Sequence, residues 1–211
     1  MGDEKLPDDL RSQVAAHRAR ESEANDAAGR QRAADSERRT QAQQRWVKIQ
    51  QWAGSVATNA KGRIPTDVTL VEYEHQQGLF KNKTTRSIVG RGWQLVHHST
   101  DTSSDADSWS SRGHTSTTRR GILLTDKGRL ATYRVTDGGT KNMEVDVNAG
   151  FYDPSIGRDD GTRGQNLFYL PKDMHELPRL VGELSVIADG RAYKGVDAIE
   201  YNIVQLAAKL T

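Results

Sequence analysis

The chain contains no cysteine. A disulfide scaffold, a thiolate zinc centre and a cysteine nucleophile are therefore excluded. No apolar run approaches the ~20 residues needed to cross a bilayer as a helix. The opening residues, MGDEKLPDDL, hold no apolar stretch of the kind that marks a secretory signal. Gly2 follows Met1, but Leu6 stands where a myristoylation pattern wants Ser or Thr. The expectation is a cytoplasmic protein with no membrane association.

Apolar residues are also scarce, at 35% of 211 residues. That is low for a uniformly globular chain and argues for a polar segment attached to an ordinary core. Several motifs are missing as well: a phosphate-cradling glycine loop, a dinucleotide fingerprint, a Gly-x-Ser-x-Gly elbow and an HExxH helix. No cofactor is expected.

The formal net charge is only +2, but it is unevenly spread. Residues 1–63 carry twelve basic and nine acidic side chains, and residues 64–134 carry ten and seven. Residues 135–211 reverse the balance, with eight and twelve. Such asymmetry steers anionic partners toward the front of the chain. It is weaker than the clustered stripe of a dedicated nucleic-acid binder.

Proline is absent between Pro7 and Pro65. The intervening Ala, Arg, Gln, Glu and Ser favour helix, and Asp8 or Asp9 can cap its start. The best heptad register fails as a coiled coil. From residue 18 to residue 44 there is no Val, Ile, Leu, Met or aromatic residue, and a stable seam needs repeated apolar a and d positions. Residues 1–58 are therefore expected to form a polar helical or partly disordered arm. It either holds a partner or is a solvated extension. Residues 46–58 read as amphipathic helix, and Trp46 and Trp52 are expected to dock on the folded domain.

Gly62 and Pro65 make residues 59–66 the expected linker. Residues 67–211 then read as an α+β domain, with an antiparallel sheet, a meander of about five strands, packed by C-terminal helices. Strands are expected over 68–73, 93–100, 122–125, 129–135, 143–147 and 167–170. A short helix is expected over 84–92 and two helices over 172–188 and 196–210. Asp126-Lys127-Gly128 marks a hairpin. Strict alternation would place Trp93, Leu95, His97 and Ser99 on one face of their strand, and Gln94, Val96, His98 and Thr100 on the other. The piece Gly92-Trp93-Gln94-Leu95-Val96 resembles the GWELV strand of several small bacterial domains, a likeness of five residues that implies no activity.

The richest polar stretch is HHSTDTSSDADSWSSRGHTSTTRRG, residues 97–121. A metal site could draw on His97, His98, His114, Asp101, Asp105 and Asp107. Against it, adjacent strand histidines point apart, and the acidic run lacks a calcium loop's glycine and final glutamate. No metal is expected. His98-Ser99-Thr100 and His114-Thr115-Ser116 are similar to the H-x-S/T pairs of enzymes that set two histidines across a phosphodiester. Here the two motifs bracket a single loop. Anion or partner binding fits better: Trp109, Arg112, His114, Arg119 and Arg120 could grip phosphates and stack a base, with Lys81, Lys83, Arg86 and Arg91 extending the patch. The competing reading is a long hairpin connection kept soluble by its charges. The loop over 150–164 offers Asp153, Asp159, Asp160, Arg158 and Arg163, a pattern of turns and local ion pairs.

The favoured expectation is a non-catalytic intracellular interaction or assembly protein. It would bind a protein partner, or itself, through the arm and the 101–120 loop. A nucleic-acid-binding module using the basic front is the alternative. A small phosphoesterase or metal enzyme centred on His98 and His114 is the second alternative.

Overall fold

The computed structural model describes residues 8–60, 62–76, 83–103, 115–136, 143–148 and 166–210. It begins with helix α1, Asp8–Asn59. The chain divides into two compact units, residues 1–44 and 45–211.

In the first unit, α1 buries none of its described side chains. Every position from 12 to 44 is exposed or half-exposed. Its ties are one helical turn long: Gln41 Nε2 donates to Glu37 Oε1 at 3.1 Å, and Asp35 and Arg38 approach to 3.7 Å. Helix propensity rather than packing accounts for this segment.

The same helix behaves differently in the second unit. Trp46, Ile49 and Ala53 recur at helical spacing and are fully buried. Trp52, Val56 and Ala57 pack beside them. Residues 45–58, assigned to the arm from sequence, thus belong to the second unit and put Trp46, Ile49 and Ala53 into its core. Both Trp46 Nε1 and Gln50 Nε2 donate to the carbonyl of Pro171, at 2.9 and 2.8 Å.

After Gly62, whose φ of 85° suits glycine, six strands form one sheet. They are β1 (Val68–Gln76), β2 (Lys83–Ser103), β3 (Thr115–Thr125), β4 (Leu130–Thr136), β5 (Met143–Asp146) and β6 (Leu167–Tyr169). Their order is β5-β1-β2-β3-β4-β6. The α+β class expected from sequence is the class observed. Strands β1 to β4 form the meander, and the Asp126-Lys127-Gly128 hairpin closes with Gly128 at φ 76°.

Two expectations fail in instructive ways. Residues 84–92 belong to β2, because β-branched Thr84, Thr85 and Ile88 pair along β1 instead of coiling. Strand β5 does not extend the meander beside β4. It pairs in parallel with β1 at the opposite edge. The sheet is curled enough for β4 and β5 to approach each other, although three strands separate them in hydrogen-bond order. A short connection over 137–142 therefore suffices. Bulges at Leu70/Val71 and at Leu95 supply local bending.

Two cores result. Inside the curl lie Val68, Leu70, Leu123, Ala131, Tyr133, Met143, Val145 and Leu167. On the other face, Trp93, Val96, Ile122 and Leu124 pack against the α1 residues and the C-terminal segment.

The C-terminal segment also departs from expectation over 172–188. A 3-10 turn (Met174–Glu176) and a short helix α2 (Arg179–Glu183) lead into a hairpin of β7 (Ser185–Ala188) and β8 (Arg191–Lys194). Asp189 and Gly190 both have positive φ, 51° and 71°, the backbone of a type I′ turn. That turn, and not helix, is what the Asp-Gly dipeptide encodes. The final helix α3 (Val196–Leu210) forms where expected and buries Ala198, Ile199 and Ile203. Arg45 ties α1 to it through Asp197, at 2.7 Å, and Glu200.

Candidate functional site

Charge is segregated by strand. Strands β2, β3 and β4 together carry six Lys or Arg and a single acidic residue, Asp101. Strands β1 and β5 carry Glu72, Glu74, Glu144 and Asp146 and no Lys or Arg. The two sets meet at Glu144. Its carboxylate accepts from Arg86 Nη2 at 2.5 Å, from Arg86 Nε at 3.2 Å and from Tyr73 Oη at 3.2 Å. The Arg86 guanidinium holds the Glu144 carboxyl below the usual range.

The Leu95 bulge decides which side chains share a face. Gln94 pairs with Leu123, and Val96, two residues on, pairs with Ile122. Leu95 is the extra residue, so strict alternation breaks there. The expected grouping of His97 with Trp93 and Leu95 is therefore corrected. His97 lies with Gln94 on the curled face, and His98 lies with Val96 on the helix-covered face. The two imidazoles still point apart, as expected.

On the curled face, Gln94 Nε2 donates to Tyr133 Oη and lies 3.1 Å from His97 Nδ1. His97 Nδ1 is also 3.4 Å from Tyr133 Oη. An amide N–H can only donate, so Nδ1 accepts and the ring proton sits on Nε2. Desolvation, then the charges of Arg119 and His98, lower the His97 pKa from 6.5. Burial pushes Tyr133 up to about 12. Both groups are thus neutral near pH 7. Tyr133 is only 1% exposed, whereas Gln94 is half-buried and His97 exposed, so the cluster runs from the interior to the surface with the phenol at its buried end. Gly121 makes room for it. A Cβ there would meet Val96 O at 2.0 Å and Tyr133 Oη at 2.9 Å.

The helix-covered face carries a row of cations. Arg120 pairs directly with His98 on β2 and with Arg134 on β4. Arg134 is 3% exposed, and its backbone N–H donates to Asn166 O at 2.9 Å. His98 is exposed, with Nδ1 3.3 Å from Thr100 Oγ1. Arg120 is half-buried, and its Nε is buried with no hydrogen-bond partner among the described residues.

Of the residues singled out from sequence, Trp109, Arg112, His114, Lys81, Asp105 and Asp107 lie outside the described residues, as does the 150–164 loop. Arg119 and Arg120 are consecutive on β3 and take opposite faces, so they do not converge. Trp46 is buried. Trp52 is half-buried, with Lys48 Nζ 4.8 Å from its ring centre. Among the described residues no cluster of three metal-ligating side chains occurs. No described helix is long and apolar enough to cross a membrane.

Arg134 and Tyr133 were missed. A signal for Arg134 was present: it follows Leu130 and Thr132 on the inward-facing alternation of its strand, where a charge is out of place. Two of the concavities among the described residues lie near these elements. One, of about 470 Å³, is lined by residues that include Arg63, Ile64, Ile88, Arg91 and Asp126. The other, an apolar groove of about 280 Å³, includes Trp52, Val56, Val204, Ala207 and Leu210.

Compared with known proteins, the chain matches no family model, and no curated protein and no solved structure matches it significantly.

Proposed function

We propose that this is a non-catalytic intracellular interaction or assembly protein that binds a protein partner, or another copy of itself, through its N-terminal arm and the 101–120 loop. One observation carries the reading. Positions 12–44 of α1 have no buried side chain and no apolar face, whereas the same helix from Trp46 onward is a core element. A polar helix of this kind gains little stability from packing on its own chain, so its contacts are left for another molecule. The loop ends are held by the paired outer ends of β2 and β3, from Thr100/Thr118 to Ser103/Thr115.

The arm's charge favours a protein over a nucleic acid as its partner. Residues 8–44 carry seven basic and seven acidic side chains, which gives no net attraction to a phosphate backbone. Nucleic-acid binding remains a second reading only for the sheet, where β2 to β4 concentrate the basic residues.

The test is a truncation after Gln44, which keeps Arg45 and its ion pairs with α3. The shortened protein is expected to stay folded, within about 0.5 kcal/mol of the full chain, and to lose association in light scattering and pull-down. Equal recovery of partners, with an unchanged mass in solution, would overturn the reading.

A further inference from the structure

We propose that the edge of β2 over 86–89 is a docking site for an extended, acidic segment of a partner protein, which adds to the sheet as a strand in line with β3. This surface goes beyond partner binding through the arm and the 101–120 loop and does not depend on it.

Three observations support the site. First, the backbone is open there. Strand β2 pairs with β1 from Lys83 to Gly92, but with β3 only from Gly92 to Ser103. Among the described residues no strand lies beside 84–91 on the β3 side. The groups on that side follow from the register. The Val71 carbonyl accepts from Val147 N–H, away from β2. Opposed residues of an antiparallel pair either exchange both hydrogen bonds or both face away. Ile88, opposite Val71, therefore turns its N–H and C=O away from β1, and so does Arg86, two residues earlier and opposite Tyr73. Arg91 marks where the hairpin closes the edge: its N–H donates to Asp126 Oδ2 at 3.1 Å and its carbonyl accepts from Asp126 N–H at 2.8 Å.

Second, a concavity lies on each face of this edge, and Val89, Gly90 and Asp126 line both. The larger, of about 470 Å³, reaches Trp93 of the helix-covered core. Exposed Ile64 and Ile88, at 63% and 51%, line it too. The other, of about 310 Å³, reaches Leu70 and Leu167 inside the curl. An added strand sends successive side chains to opposite faces, so neighbouring residues of the segment find a concavity each. Main-chain pairing with pockets for alternate side chains is how strand addition recognises a peptide.

Third, the charge selects the occupant. Residues 84–91 hold Arg86 and Arg91 and no Asp or Glu. Arg86 is held by Glu144. Arg63 and Arg91 line the larger concavity with one carboxylate, Asp126, and Arg63 donates to the neutral carbonyl of Lys209 at 2.8 Å. Two arginines against one carboxylate favour an acidic segment. A second copy of this edge would double the basic excess, and like charges across a ladder repel. A peptide main chain supplies both donors and acceptors to Arg86 and Ile88, whereas a phosphate backbone supplies acceptors alone.

The probe is the peptide acetyl-Val-Glu-Val-Asp-Val-Thr-amide, titrated into the full-length protein up to about 1 mM. Binding is read from NMR shifts and hydrogen exchange of the backbone amides. In the free protein the Arg86 and Ile88 amides are expected to exchange fast. Saturable binding should shift both and slow their exchange. The same peptide N-methylated at every residue, which cannot donate, should bind about tenfold more weakly or worse, and the version with Lys for Glu and Asp should also bind more weakly. Ile88→Pro removes an outward N–H without removing a bond to β1 and should weaken binding about tenfold. Far-UV circular dichroism establishes that this variant is folded; if it is not, the N-methylated peptide decides the matter on the unaltered protein. No saturable binding, or equal binding of the N-methylated peptide, would overturn the site. Shifts confined to residues 8–44 would assign the peptide to the arm instead. Slow exchange of Arg86 and Ile88 in the free protein at every concentration would show the edge covered by the chain's own residues. Slowing that grows with protein concentration, together with a doubled mass, would assign it to a second copy. Each of these three would also overturn the proposal.

Discussion

Trp46 and Pro171 lie 125 residues apart in the chain and are joined by a 2.9 Å hydrogen bond from the indole N–H to the proline carbonyl. Gln50 donates to the same oxygen at 2.8 Å. This shared acceptor fixes the rotation of α1 about its axis, so that Trp46, Ile49 and Ala53 all face the sheet.

Trp46→Ala is therefore expected to destabilise the second unit by about 3–5 kcal/mol through lost burial and a cavity. Trp46→Phe keeps most of the ring and leaves Gln50 on the carbonyl, so it should cost about 1–2 kcal/mol. Urea denaturation midpoints, with an unchanged slope, check both values.

Gly121→Ala should also be severe. The new methyl would sit 2.0 Å from the Val96 carbonyl oxygen, which is backbone and cannot rotate aside. A loss of about 3 kcal/mol is expected, together with a changed environment for Tyr133 in near-UV circular dichroism. Gly29→Ala, at an open helical position, should instead be neutral or stabilising by up to about 1 kcal/mol.

His97 gives the fold an acid-side dependence. Its folded pKa lies below 6.5, so the folded state takes up a proton less readily than the unfolded chain. The resulting stability is fully present above pH 6.5 and falls as pH drops through 6.5 toward the folded pKa. An NMR titration should find the His97 midpoint below 6.5. His97→Gln should flatten the decline in stability between pH 7 and the folded pKa.

Glu144 acts at lower pH. Hydrogen bonding from Arg86 depresses its carboxyl from 4.5. Its contribution is present above pH 4.5 and is lost as pH falls through the folded pKa. Because the pair is substantially exposed, Arg86→Gln should have a small effect that shrinks further in high salt. Side-chain carboxyl NMR of the variant should show the Glu144 midpoint moving up.

The α+β class and the order of most elements were legible because their signals are local. The hairpin at Asp126–Gly128 and the apolar spacing of α3 are visible within a dozen residues. What was not legible depends on chain closure. The parallel pairing of β5 follows from the curl of the sheet, which no short window records. The helix expected over 84–92 rested on a short span ended by glycine, and its β-branched Thr84, Thr85 and Ile88 found strand partners nine to seventeen residues earlier in the chain. The Asp189-Gly190 turn was legible and was passed over in favour of leucine spacing. Of the candidate site, the basic character of Arg119 and Arg120 was visible. Their divergence onto two faces, and the partnership of Arg120 with Arg134, required the register.

The bulge at Leu95 gives the chain a reading frame. Everything after it on β2 is shifted by one position relative to what precedes it. Deleting Leu95 would remove the extra residue and leave Gln94 opposite Leu123 and Val96 opposite Ile122, so His97 would keep its place beside Tyr133 and His98 its place opposite Arg120. The cost of deleting Leu95 should thus be confined to its own lost burial in the helix-covered core, because the pairing on either side stays in register.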